Sequence, residues 1–251
     1  MKNTYIIYEG DSCLDKKPIV AILTLTSNNE KLTGGEKIEL CQLWFLKKDI
    51  DPLTASRTGE DFSICGNCKL RGVANLNKKS GVADSRGCYV LLYMRPLSLY
   101  KAIPELPRIS MSKAKQLVKG KFLRVGAYGD SGSVPNNYIN PLINVSKKFT
   151  GYSHQWESFT NKNLMASCET LEQRKIAKKK GYRTFRVLTD KSEISENEIL
   201  CPASKESLKQ SNCFKCGLCN GNKSNSLKDI AIVSHGGIKN NLNNIIRELR
   251  N

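Results

Sequence analysis

The sequence predicts an α/β protein: a partial or complete (β/α) barrel of about six units, preceded by a β-rich N-terminal segment and carrying metal-binding cysteine loops. Three observations predict it. Apolar runs separated by turn residues fill the first 64 positions, a rhythm of strand, loop and helix follows from Cys88 onward, and seven of ten cysteines fall into two spaced groups.

In the N-terminal segment, Tyr5–Tyr8, Ile19–Thr26 and Leu40–Leu46 are apolar or alternating runs and are read as strands. Lys31-Leu-Thr-Gly-Gly35 is the turn expected between the last two. Residues 1–64 are taken as a β-rich segment packed on the barrel, and residues 65–251 as the metal-binding barrel-like domain. Linker-like polar stretches lie at Asn75–Ser85 and Asn220–Ser226.

Further strands are expected at Tyr89–Met94, Phe122–Tyr128, Phe149–Trp156, Leu164–Cys168, Arg183–Leu188 and Ile230–Ser234. Between the fourth and fifth of these, Glu169 and Thr170 open a helical pattern that Gly181 stops. A terminal helix is expected from Leu242, Ile245, Ile246 and Leu249 at helical spacing. Alternating strands and helices imply a mainly parallel sheet, with a doubly wound sheet as the alternative to the barrel. In either architecture ligands gather at the C-terminal strand ends, where Gly129, Asp130, His154, Glu169 and His235 fall by sequence.

The charge is the second strong signal. Forty Lys and Arg against 23 Asp and Glu give a formal +17, which favours a polyanionic partner, and nucleic acid is the commonest such partner. The bland alternative is a lysine-rich composition with solvated faces, such as Lys175, Lys178 and Lys179 or Lys113, Lys115, Lys119 and Lys121. The first residues lack the apolar core of a secretion signal, and the longest apolar run, Ile19–Leu23, is too short for a bilayer. No membrane association and a cytoplasmic, reducing location are therefore expected, where clustered cysteines bind metal more often than they pair.

Cys213-Phe-Lys-Cys216-Gly-Leu-Cys219 turns back on itself every three residues, and Cys201 could complete a four-thiolate set. That spacing suits a [4Fe–4S] cluster, with zinc as the alternative. Cys65, Cys68 and Cys88 form a second, three-thiolate group, read either as a staple completed by another ligand or as a cluster left open to react. Cys13, Cys41 and Cys168 have no mutual spacing and are read as buried apolar residues.

Asp130 is a candidate catalytic carboxylate or helix cap, and His154 a candidate base, ligand or satisfied strand residue. Arg186 is a candidate anion contact if it points inward, and His235 precedes a glycine pair whose amides could hold a phosphate.

Cys65-x2-Cys68 with Gly87-Cys88-Tyr89, Gly126–Asp130 with Val134-Pro135, Thr150–Trp156, Gly181–Val187, and Cys201-Pro-Ala-Ser with Cys216-Gly-Leu-Cys219 together resemble a family of uncharacterised phage- and plasmid-borne proteins. At a greater distance the layout is similar to radical S-adenosylmethionine enzymes. That likeness implies an open cluster on Cys65, Cys68 and Cys88, an auxiliary cluster on the later four cysteines, and an adenosylmethionine contact near Gly129 and Asp130. The sequence departs from the usual C-x3-C-x2-C signature, since 19 residues separate Cys68 from Cys88.

Three functions follow as expectations. One is an iron–sulfur enzyme of radical type acting on nucleic acid or a nucleotide. Another is a non-enzymatic nucleic-acid-binding protein of a mobile element, serving replication or counter-defence, with cluster or zinc sites as staples. The third is a nuclease using Asp130, Glu169 and His154 with a divalent ion.

Overall fold

The computed structural model describes residues 1–25, 30–223 and 228–250. Thr26, the last residue of one expected strand, and the end of the Asn220–Ser226 stretch lie outside the described residues.

Two five-stranded sheets with helices around them make an α/β fold. The first contains β1 (Thr4–Asp11), β2 (Pro18–Thr24), β3 (Leu40–Lys47), β4 (Phe122–Tyr128) and β5 (Lys148–Thr150), paired in chain order. β1, β2 and β3 pair antiparallel, whereas β3–β4 and β4–β5 are parallel. The second contains β6 (Tyr152–Ser153), β7 (Met165–Cys168), β8 (Thr184–Leu188), β9 (Glu198–Leu200) and β10 (Asp229–Val233), all parallel, in the order β6-β7-β8-β10-β9. The outer strands are free edges, β1 and β5 in the first sheet and β6 and β9 in the second, so among the described residues neither sheet closes and no complete barrel is formed.

The helices are α1 (Glu30–Thr33), α2 (Pro52–Thr58), α3 (Phe62–Cys65), α4 (Arg95–Ala102), α5 (Met111–Val118), α6 (Asn140–Val145), α7 (Leu171–Lys179), α8 (Cys213–Cys216) and α9 (Lys239–Glu248). Of these, α7 follows the sequence signal closely. The Thr170 hydroxyl oxygen accepts a hydrogen bond from the Gln173 amide while Gln173 Oε1 accepts one from the Thr170 amide, a complete capping box.

The expected boundary at residue 64 is not a seam in the packing. β3 and β4, from opposite sides of it, pair directly, and one core spans both, with Ile22, Leu43, Phe45, Leu123 and Phe149 buried together. Two of the expected strands also come out differently. Tyr89–Met94 pairs with nothing and ends in a turn, after which Pro96 sits in the first turn of α4. The run Phe149–Trp156 is interrupted at Gly151, which divides β5 in the first sheet from β6 in the second. A Cβ at Gly151 would stand 2.8 Å from Leu164 Cδ2 and 2.9 Å from Val125 Cβ, so glycine alone fits where the chain passes between sheets.

Candidate functional site: a cavity at the junction of the two sheets

The strand ends carry the polar residues. Gly129 and Asp130 follow β4, His154 follows β6, Glu169 follows β7, Cys201 follows β9, and Ser234 and His235 follow β10. This is the edge at which open α/β sheets collect ligands.

Asp130 is buried, and both its oxygens are taken. Oδ1 accepts from the Gly132 amide at 2.8 Å and the Ser153 hydroxyl at 2.6 Å, and Oδ2 accepts from the His154 amide at 2.6 Å. Its role is to cap the short turn at Ser131–Ser133 and to pin the backbone at His154. Gly129 serves packing: at φ +75° its hypothetical Cβ would lie 2.8 Å from Phe45 Cβ, and strand β4 leaves the sheet there.

The His154 ring is held on two sides. Nδ1 lies 3.0 Å from Glu169 Oε1, and the Cys68 side chain also hydrogen-bonds the imidazole. Burial pulls the imidazole pKa down, but Cys68 and Glu169 outweigh it, so His154 stays well above the ordinary histidine value. Gln155, the next residue, ties the Cys65–Cys68 loop to the strand end: its Nε2 donates to the Cys65 carbonyl at 2.9 Å and its Oε1 accepts from the Asn67 amide. Arg71 holds the other side of that loop, donating to the Gly66 carbonyl and to Asp61.

The cysteines gather as their spacing anticipates. Cys65 senses Cys68 and Cys88, and Cys219 senses Cys201, Cys213 and Cys216. The local chain explains the second group. Asn212 caps α8 by accepting from the Lys215 amide at 2.8 Å, Gly217 ends it in the left-handed region, and Cys201 lies buried just past β9.

The metal reading does not survive the geometry. Among the described residues no group of three or more His, Cys, Asp or Glu side chains is disposed to hold a metal ion, and no disulfide joins any of the ten cysteines. The expected [4Fe–4S] and zinc sites on Cys65, Cys68, Cys88, Cys201, Cys213, Cys216 and Cys219 are corrected accordingly. Burial raises Cys65, Cys88 and Cys219 above the ordinary thiol value, so in this structure these side chains stand as protonated thiols. The adenosylmethionine expectation falls with the open cluster, and the contact it assigned to Gly129 and Asp130 is occupied by packing and capping. The divalent-ion nuclease meets the same finding: Glu169 faces the His154 ring, whereas Asp130 accepts from the His154 backbone amide.

Arg186 is fully buried, but its guanidinium is turned to Glu198, with Nε and Nη2 donating to the two carboxylate oxygens at 2.8 and 2.6 Å. It is a sheet-locking pair. His235 lines the cavity described next, with Nδ1 2.9 Å from the Val233 carbonyl oxygen.

A cavity of about 310 Å³ opens between the strand ends of the two sheets. Its walls are mainly apolar and aromatic, from Val125, Tyr152, Phe185, Val187, Ile232 and Leu242. Tyr152 and Phe185 stack with centroids 4.6 Å apart and planes 10° from parallel. Arg124 enters from β4, donating from Nη2 to the Tyr89 hydroxyl at 2.8 Å and from Nη1 to Gln42 Oε1 at 3.4 Å. The Tyr89 hydroxyl in turn lies 3.2 Å from that of Tyr152. Burial alone would lower the Arg124 pKa, but the hydroxyls of Tyr89 and Tyr152 and the Cys213 thiol hold it above its usual value.

Sequence reasoning missed Arg124, Tyr89, Tyr152 and Phe185 as site residues. The signal available for Arg124 was a single cation inside an otherwise apolar strand, and for the aromatics only their positions within the quoted motifs.

Charge is distributed unevenly between interior and surface. Among the described residues five carboxylates are buried (Asp61, Asp130, Glu169, Glu198 and Asp229) against three basic side chains (Lys47, Arg183 and Arg186). No helix among the described residues is long and apolar enough to cross a membrane.

No family model, curated protein or solved structure matches this chain, so the resemblance to phage- and plasmid-borne proteins rests on the quoted motifs alone.

Proposed function

We propose that this protein binds nucleic acid. The observation that carries the reading is the separation of charge: the formal excess is +17, and more carboxylates than basic side chains are withdrawn into the interior. The excess of basic groups is left to side chains outside the core, some of which, such as Arg71, Arg174 and Lys178, pair with the withdrawn carboxylates. Lysines crowd exposed faces, with Lys113, Lys115 and Lys119 on and just after α5, and Lys175, Lys178 and Lys179 on α7. Such a surface attracts phosphates by releasing condensed counterions. The two sheets, joined by the chain through Gly151, are read as the walls of one partial (β/α) barrel around the cavity. A place with a mobile element, for example in its replication or counter-defence, belongs with this reading.

The test is fluorescence anisotropy with labelled single-stranded and duplex DNA and RNA across a salt series. Binding at low salt is expected, with log affinity falling linearly in log salt by about 0.7 for each phosphate neutralised on a single strand. Absence of binding to all of these polymers at low salt would sink the reading.

A further inference from the structure

We infer that the cavity between the sheets is a nucleotide-binding site, seating one unstacked base against Tyr152 and Phe185 with its phosphate on Arg124. The inference deepens the nucleic-acid reading and rests on it for the polymeric form of the ligand.

Charge complementarity identifies an anion. Among the described residues lining the cavity there is no Asp or Glu, while Arg124, His154 and His235 all contribute. Arg124 forms no ion pair with a carboxylate among the described residues. Its contacts are the neutral Tyr89 hydroxyl and Gln42 amide, and each is a single hydrogen bond. A guanidinium has five N–H donors, and a phosphate or carboxylate accepts two of them side by side. A cation left with neutral partners at an apolar-walled cavity has capacity for such an anion.

The remainder of the cavity identifies what the anion is attached to. The walls are apolar and aromatic, and Tyr152 and Phe185, stacked on one another, both border the cavity with aromatic surface of the type against which bases pack. At about 310 Å³ the space sits at the lower end of the roughly 300–1,000 Å³ typical of small-molecule sites. It suits a single nucleotide, and a base can enter only when it is out of a duplex stack. Tyr89 is exposed and bonded to both Arg124 and Tyr152, which places it at the mouth, where a phosphate would pass.

The protein supplies its own probe, because its only two histidines, His154 and His235, both line this cavity. The experiment is a titration of the imidazole carbon–proton NMR signals of the wild-type protein with adenosine 5′-monophosphate, alongside a single-stranded oligonucleotide carrying one 2-aminopurine. Both imidazole signals are expected to move and saturate together with the mononucleotide. The 2-aminopurine emission should change when the strand binds, and excess mononucleotide should reverse that change. Arg124→Met should weaken mononucleotide binding about 10-fold or more, as loss of a charge-assisted phosphate contact does. Arg124→Lys, which keeps the charge, should lose less.

Unmoved imidazole signals at millimolar mononucleotide would overturn the cavity assignment, even if the strand binds elsewhere in a salt-dependent way. Mononucleotide binding without any strand binding would instead uphold the cavity and end the nucleic-acid reading. Since the imidazole titration needs no variant, the outcome does not depend on whether Arg124→Met folds.

Discussion

Arg124 donates from Nη2 to the Tyr89 hydroxyl 2.8 Å away, joining a strand of the first sheet to a segment that belongs to neither sheet. The apolar run Tyr89–Met94 carries Tyr89, Leu91, Tyr93 and Met94 exposed, a costly arrangement for a segment with strand-forming composition. Its attachment to Arg124 and Tyr152 through one phenol explains part of it. Tyr89→Phe removes both hydroxyl contacts and leaves the ring. The variant is expected to fold with stability reduced by about 0.5–1.5 kcal/mol, the net worth of a hydrogen bond, as read from urea unfolding midpoints. A loss several times larger would mean that the segment is held chiefly by this tyrosine.

Asp130 is expected to act as a positioning residue for His154. In Asp130→Asn one of the three donors now facing the carboxylate would meet an amide NH2, leaving a buried donor without an acceptor. The expected cost is about 1–3 kcal/mol, accompanied by a shift of the His154 imidazole signal and little change at His235. Equal movement of both histidines would point to general loosening of the fold.

The helix after Glu169 and Thr170 with its stop at Gly181 was legible in the sequence, as were β1 to β4, β7, β8 and β10, because each rests on a local pattern of period or stop. The proximity of Cys65 to Cys68, and of Cys213 to Cys216 and Cys219, was legible for the same reason, since short spacers return the chain to one place, whereas Cys88 and Cys201 join them through the tertiary fold. What the spacing does not carry is the disposition of the sulfur atoms, which depends on Gln155, Arg71 and Asn212 anchoring the loops from distant positions. The break at Gly151 is a tertiary effect, visible only once Val125 and Leu164 are known to flank it. The cavity is less local still, since Arg124, Tyr152 and Phe185 come from three different strands.

Gly151 yields a packing prediction. Gly151→Ala would place a methyl group 2.9 Å from Val125 Cβ, which belongs to a stiff branched side chain, and 2.8 Å from the more mobile end of Leu164. Leu164 can rotate away and Val125 Cβ cannot, so the expected destabilisation is about 1–3 kcal/mol. Adding Val125→Ala should leave the overlap largely in place, because alanine keeps the Cβ. Urea unfolding of the two single variants and the double variant checks this, with near-additive losses expected.

The Arg186–Glu198 pair makes stability depend on pH. Burial pushes the Glu198 carboxyl up, but hydrogen bonds from Arg186 and Ser195 outweigh it and hold its pKa below the ordinary glutamate value. The native state therefore releases this proton more readily than the unfolded chain. The resulting stabilisation is present above the unfolded pKa and is lost as pH falls through the folded one. Glu198→Gln, which strands the buried Arg186 charge, should cost about 3–5 kcal/mol near neutral pH. Its unfolding free energy should also fall less steeply than that of the wild type on acidification below about pH 4.5. Parallel slopes for the two proteins would show that the pair does not govern the acid limb.

Photo-cross-linking of a single strand bearing 5-iodouracil, with adducts located by mass spectrometry, tests the central claim most directly. The account predicts a salt-sensitive complex with adducts on Tyr89, Tyr152 or Phe185, suppressed by excess adenosine 5′-monophosphate. A complex whose adducts lie only on the lysine-bearing faces of α5 and α7, or the lack of any complex at low salt, would contradict it.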